Sequence, residues 1–114
     1  MKIAISATEK KLDGEVSEIF GRCPYFIIAE IKDKGFAILE TIKNLSADKA
    51  GGAGLTAAQT VAEKGAEAVI AGDVGPKALE VLKQFNIKIY KMRGSIKEIL
   101  ENFKGKKNEN SDSN

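Results

Sequence analysis

One cysteine, Cys23, stands between Arg22 and Pro24 in the stretch "EIFGRCPYFIIAE", residues 18–30. Thiolate is the form of cysteine that binds metals and attacks electrophiles, and a neighbouring guanidinium favours it. Pro24 disfavours helical backbone at Cys23, which places the residue in extended chain at the mouth of a strand. Two readings stay open: a soft ligand or nucleophile on an exposed loop, or a small apolar residue that packs where the strand begins. Other segments carry groups suited to holding a ligand. Gly51-Gly52-Ala53-Gly54 opens a helix, Gly72-Asp73-Val74-Gly75 joins a strand to a helix, and Met92-Arg93-Gly94-Ser95 precedes another. Helix starts at Gly75 and Ser95 offer unpaired amides and the positive end of the dipole to an anion.

Several chemistries are excluded by the residues that are missing. The chain has no histidine, so triads, Cys-His pairs and His-containing zinc sites are ruled out within it. A lone cysteine leaves no resolving thiol for disulfide exchange. Ala29 stands where a phosphatase-type thiolate loop would need arginine. The first strand, "KIAISA", supplies no carboxylate for a two-metal nuclease. "GGAG" lacks the Lys-Ser/Thr of a P-loop and fits no dinucleotide fingerprint, so a flexible loop is its simpler meaning. Asp73 reads as a turn cap before a ligand contact, and Arg93 as an anion contact or a solvated charge. Phe20 and Tyr25 read as packing residues.

The 114 residues, 43% apolar and 30% charged, fit one domain with a modest core. A formal charge of +2 is too small and too dispersed for binding dominated by nucleic acid or a membrane surface. No apolar run approaches the roughly 20 residues of a membrane-spanning helix, and "MKIAISA" is too short and strand-like for a secretory signal. A single cysteine suits a reducing cytoplasm.

The elements that must position these groups follow from periodicity. Residues 2–7 form a short buried strand, and "YFIIAEI" and "FAILETI" form a hairpin around Lys34-Gly35. "GAGLTAAQTVAEKG" predicts a helix with Leu55, Ala58, Val61 and Ala62 inward and a stop at Gly65. "AEAVIAG" is a buried strand. Pro76 opens a second helix with Leu79, Leu82 and Phe85 inward, and Asn86 closes it before "IKIYKM". Ser95 and Glu98 at capping-box spacing start a third helix carrying Ile96, Ile99, Leu100 and Phe103. Residues 104–114 have nothing apolar to bury and predict a disordered tail beyond a domain of residues 1–103. The order β-β-β-α-β-α-β-α gives an α/β fold with a five-stranded mixed sheet and the first strand central. Ligands gather beyond the carboxyl ends of the parallel strands, where the loop carrying Phe20 to Cys23, the "AGDVGP" turn and "MRGS" should meet and Gly51–Gly54 would approach the same edge.

"IFGRCPYFIIAEI", the glycine loop and "AVIAGDVGPKALEVLKQFNIKIYKMRGSIKEIL" together resemble the dinitrogenase iron–molybdenum cofactor biosynthesis family, with its NifX-like and nitrogenase accessory-factor domains. The likeness rests on Phe20-Gly21-Arg22 before an aromatic strand, on Gly72-x-x-Gly75, and on Asn86-Ile87-Lys88-Ile89-Tyr90, and it spans residues 1–103. It implies a ribonuclease H-like motif without nuclease chemistry and a non-catalytic role: binding or carrying an iron–sulfur-based cluster, such as the iron–molybdenum cofactor or its precursor. Partners would be cluster-assembly or acceptor proteins. Nitrogenase-associated members often carry histidine just before the Phe-Gly pair, where Ile19 stands here, which leaves Cys23 as the soft ligand. One thiolate is too few for a four-cysteine cluster; a homodimer could supply two, or backbone amides and arginine could hold an anionic cluster on one anchor. The expected site is therefore Cys23 as metal anchor, supported by Phe20, Gly21, Arg22, Gly51, Gly52, Gly54, Asp73 and Gly75. The alternative is a ligand-free protein-interaction or regulatory module of the same fold.

Overall fold

The computed structural model describes residues 1–103; the tail expected over residues 104–114 lies outside them. Strands β1 (Lys2–Ala7), β2 (Tyr25–Lys32), β3 (Gly35–Lys43), β4 (Ala68–Ala71) and β5 (Lys88–Lys91) form one sheet in the order β3-β2-β1-β4-β5. Helices α1 (Ala53–Glu63) and α2 (Pro76–Gln84) precede β4 and β5, and α3 follows over residues 96–103. β1 is central, antiparallel to β2 and parallel to β4, and β5 continues the parallel half. The mixed α/β architecture expected from the order of elements is the one observed.

Alternation along β1 assigns the helices to the two faces of the sheet. Ile3, Ile5 and Ala7 pack with Ile27 and Ile70 against Ile96, Leu100 and Phe103 of α3. Ala4 faces the other way, joining Phe26, Ile28 and Val69 beneath Ala57, Ala58 and Val61 of α1 and Ala78 and Leu82 of α2. Because both faces are covered, β1 has no polar face and reads as an apolar run. Each fully buried Ile or Leu contributes about 1.5–3 kcal/mol of transfer free energy.

The punctuation works as its chemistry dictates. Gly65 and Asn86 close α1 and α2 with φ of 80° and 60°, the left-handed conformation that glycine and asparagine tolerate. The Ser95 hydroxyl accepts the Glu98 amide at 3.3 Å, which caps α3. On β3 the register jumps from Ile28↔Glu40 to Ala29↔Ile38. Leu39 is the extra residue, and the bulge twists this edge strand away from easy pairing.

Two inward assignments need correction. Leu55 and Phe85 face outward, at 40% and 51% exposure. The contact of α1 with α2 and the sheet is made by Ala53, Ala57, Ala58 and Val61, a stripe that leaves Leu55 on its flank. On α2 the inward stripe is Ala78 and Leu82, and the helix ends at Gln84 before Phe85 can extend it.

Candidate functional site

The long connection between β1 and β2 is pinned across the C-terminal edge of the sheet. Ser17 donates its amide to Ser6 O (2.8 Å), Gly72 to Ser17 O (3.1 Å), Asp73 to Glu18 O (2.6 Å) and Phe20 to Asp73 O (3.0 Å). A Cβ on Gly72 would lie 2.8 Å from Glu18 O, so this close crossing requires glycine there. Val16 N–H to Gly94 O (2.9 Å) and Ile96 N–H to Gly14 O (3.1 Å) tie the same segment to the loop after β5. The three loops expected to converge do so.

The segment ends in a single 3-10 turn, Phe20–Arg22. Phe20 is its plug, fully buried with its ring 5.3 Å from that of Phe26. Gly21 lies against the start of α1 so closely that a Cβ would be 2.7 Å from the Gly54 backbone. A Cβ on Gly54 would in turn meet that of Ala78 at 3.0 Å. These contacts between small residues draw the N-termini of α1 and α2 together beside the turn. Between the three lies a groove of about 390 Å³, lined by Ile19, Gly21 and Arg22, by Gly52–Leu55 and by Gly75–Ala78.

Both helix starts facing the groove are uncapped. Gly52 and Gly75 are the N-cap residues, neither supplies a side-chain acceptor, and neither helix has an acidic residue in its first turn. The first intrahelical bonds are Thr56 N–H to Gly52 O and Leu79 N–H to Gly75 O. The amides of Ala53, Gly54, Leu55, Lys77 and Ala78 precede them and have no intrahelical acceptor. Gly52 has φ of 76°, which favours glycine. Gly75 has ordinary extended backbone, φ −67° and ψ 164°, and nothing within 4 Å of a Cβ placed on it. Neither strain nor packing asks for glycine at Gly75. Two dipole ends, Arg22 and Lys77 bring positive charge to a cleft whose other lining residues are glycine, alanine, Pro76 and the apolar Ile19 and Leu55.

The site residues expected from sequence separate into three groups. Gly21, Arg22, Gly52, Gly54 and Gly75 line the groove. Gly51 and Asp73 do not. The Asp73 carboxylate accepts the Val74 amide at 2.9 Å and pairs with Lys91 at 3.3 Å; these two contacts, the amide first, hold it below the usual carboxylate range. Its backbone anchors the crossing segment, so its place is structural. Phe20 and Cys23 lie behind the turn, in the core.

Cys23, the expected metal anchor, takes the packing arrangement of its two open readings: it has 0% exposure and belongs to the core under α1 and α2. The cause is the turn before it, which buries Phe20 and directs Cys23 inward, while Pro24 holds Cys23 extended at φ −67° and ψ 145°. Its thiol donates to Phe20 O at 3.1 Å. Burial pushes its pKa up to about 11, against the opposing pull of Ser6, Asn44 and the Ala7 amide. In this conformation the sulfur is a neutral core atom, and two copies facing one another could not share a metal through it. Among the described residues, no group of three or more His, Cys, Asp or Glu is arranged to hold a metal ion.

Two residues that support the turn were not singled out in the sequence. Asn44, at the end of β3, donates from Nδ2 to Gly21 O (3.1 Å) and Cys23 O (2.8 Å). Its Oδ1 accepts from the Ser46 amide (3.1 Å) and hydroxyl (2.6 Å). Asn-x-Ser after a strand is the signature of an Asx turn, the signal that could have marked it. Ser6 is buried beside Cys23, and its hydroxyl makes no hydrogen bond of acceptable geometry among the described residues; an unpaired buried hydroxyl costs about 1–3 kcal/mol.

The sequence model for "Dinitrogenase iron-molybdenum cofactor" matches residues 1–106. The chain belongs to the dinitrogenase iron–molybdenum cofactor family. An uncharacterized protein of Methanocaldococcus jannaschii is 38% identical over 91 residues, 80% of this chain and 74% of the relative. Among solved structures, the apo form of the orange protein from Desulfovibrio gigas superposes with a TM-score of 0.81 at 33% identity, covering 90% of this chain and 85% of that one. A candidate NifB protein from Thermotoga gives 0.74 at 33% identity, with coverage of 91% and 87%. Ile19, the residue just before Phe20-Gly21, is one of the lining residues of the groove.

Proposed function

We propose that this member of the family is a non-catalytic accessory protein that carries an anionic metal–sulfur cluster, of the iron–molybdenum cofactor type or a precursor, in the groove between the starts of α1 and α2. The single observation that carries this reading is the pair of uncapped helix N-termini converging on one small-residue cleft, with Arg22 and Lys77 at its walls. Buried anions need hydrogen bonds and opposite charge, and this site offers both without a covalent ligand. Such holding suits transient carriage, because release breaks no metal–sulfur bond to the protein. Ile19 and Leu55 expose apolar surface at the groove, at 43% and 40%, where a cluster-assembly or acceptor protein would meet the cargo.

The test is anaerobic titration with isolated iron–molybdenum cofactor, comparing wild type, Gly75→Asp and Cys23→Ala. A carboxylate at Gly75 has room, takes the free α2 amides for itself and adds negative charge to the cleft. Affinity should fall about tenfold or more while the helix gains a few tenths of a kcal/mol. Cys23→Ala should bind as wild type does. Undiminished binding by Gly75→Asp would refute the groove; binding lost in a folded Cys23→Ala would restore the thiolate anchor.

A further inference from the structure

The Phe20–Arg22 turn stands between the groove and the packed core. Gly21 and Arg22 face the groove, while Phe20 and Cys23 on the other side are core. We propose that this turn is a movable partition: its opening brings the Cys23 thiol to solvent, and an anion in the groove holds it shut. The second half rests on the carrier reading above.

Three features point to local opening. First, the turn's polar ties are few. The exposed Arg22 guanidinium donates to Ala47 O (3.0 Å) and Lys49 O (2.5 Å), Asn44 donates to Gly21 and Cys23 carbonyls, and Phe20 N–H reaches Asp73 O. None of these bonds belongs to the sheet or to a long helix, so the turn can lift without breaking the ladders. Second, the closed state leaves a defect that opening repairs. The Ser6 hydroxyl, fully buried beside Cys23, makes no hydrogen bond of good geometry among the described residues, and water admitted behind the turn would give it one. Third, the groove wall belongs partly to the turn (Gly21, Arg22) and partly to the fixed helix starts (Gly52–Leu55, Gly75–Ala78). A ligand touching both binds the closed arrangement better than the open one and shifts the population toward it.

The experiment is native-state labelling of Cys23 with a small aromatic disulfide, whose released thiol reports the exchange. Unliganded protein should label slowly, at a rate that depends on urea much less steeply than global unfolding does, because opening exposes the turn and its Phe20 rather than the whole core. Arg22→Ala, which removes two ties, should label about tenfold faster while the rate keeps its weak dependence on urea below the transition. Labelling that follows the urea slope of global unfolding, or is unmoved in Arg22→Ala, would overturn the partition. Isolated iron–molybdenum cofactor at saturation should slow labelling of the wild type in proportion to occupancy. Binding by titration without protection would overturn the coupling. Absence of binding would overturn the coupling together with the carrier reading, and the urea and Arg22→Ala results would still decide whether the partition opens.

Discussion

At the rim formed by Glu18, Asp73, Lys91 and Arg93, each charge faces its opposite. Arg93 grips both Glu18 oxygens, Lys91 pairs with Asp73, and Asp73 also closes its own turn on Val74. A short distance along the same edge of the sheet, the groove follows another rule. Two helices begin there without an acceptor, and the lining carries Arg22 and Lys77 but no acid. Charged groups at the rim answer one another and so complete the loops that carry them. Among the described residues the first amides of these two helices have no protein partner, and an isolated helix could have capped itself with one Ser or Asp. The third helix has such a cap in Ser95, and the proposed carriage of an anion would account for its lack at these two starts.

Substituting at the glycines breaks or sharpens this contrast most strongly. Gly21→Ala drives a methyl to 2.7 Å from the Gly54 backbone, where no flexible side chain can yield. The cost should be about 2–3 kcal/mol, measured as a shift of the urea midpoint. Gly75→Ala meets nothing within 4 Å and should leave the midpoint almost unchanged. Equal costs at the two positions would mean that the groove is packed more like the core than its geometry indicates.

Directly behind the groove, Cys23 tests how dry the partition keeps the core. Its folded pKa of about 11 lies above the ordinary 9.0, so the unfolded chain releases the proton first. The neutral thiol's full contribution is present below pH 9 and is lost as pH rises through 11. At about 1.4 kcal/mol per unit, the loss should reach roughly 2–3 kcal/mol. Urea melts between pH 8 and 11 should show that decline in wild type and lack it in Cys23→Ala. A parallel decline in both proteins would assign the effect to other groups.

Much of this was legible in the chain, and the failures have one cause. Alternation and caps located the strands and helices because Gly65, Asn86, Pro76 and Ser95 act within a turn of themselves. The convergence of three loops followed from the sheet's parallel half. What could not be read were directions set by tertiary contacts. The inward aim of Cys23 depends on Phe20 finding Phe26, and on Asn44, twenty-one residues away, holding the carbonyls on either side. The contribution of Gly54 depends on Ala78, a residue of another helix. Leu55 looked inward by helical period, yet small side chains elsewhere on α1 made the closer packing.

The smallest expected effect belongs to the rim. Glu18 has a pKa below the usual carboxylate range, first because Arg93 hydrogen-bonds to it. Its contribution to stability is therefore present above the ordinary carboxylate pKa and lost as pH falls through the depressed folded value. Both partners are exposed, so solvent screens the pair and little stability rests on it. Arg93→Ala should return the Glu18 titration, followed by carboxyl NMR shifts, to the ordinary range while scarcely moving the melting temperature. Affinity for isolated cofactor should be unchanged, because neither Glu18 nor Arg93 lines the groove. A marked loss of affinity in this variant would move the anion site from the helix starts to the rim, and the contrast between the two halves of the edge would reverse.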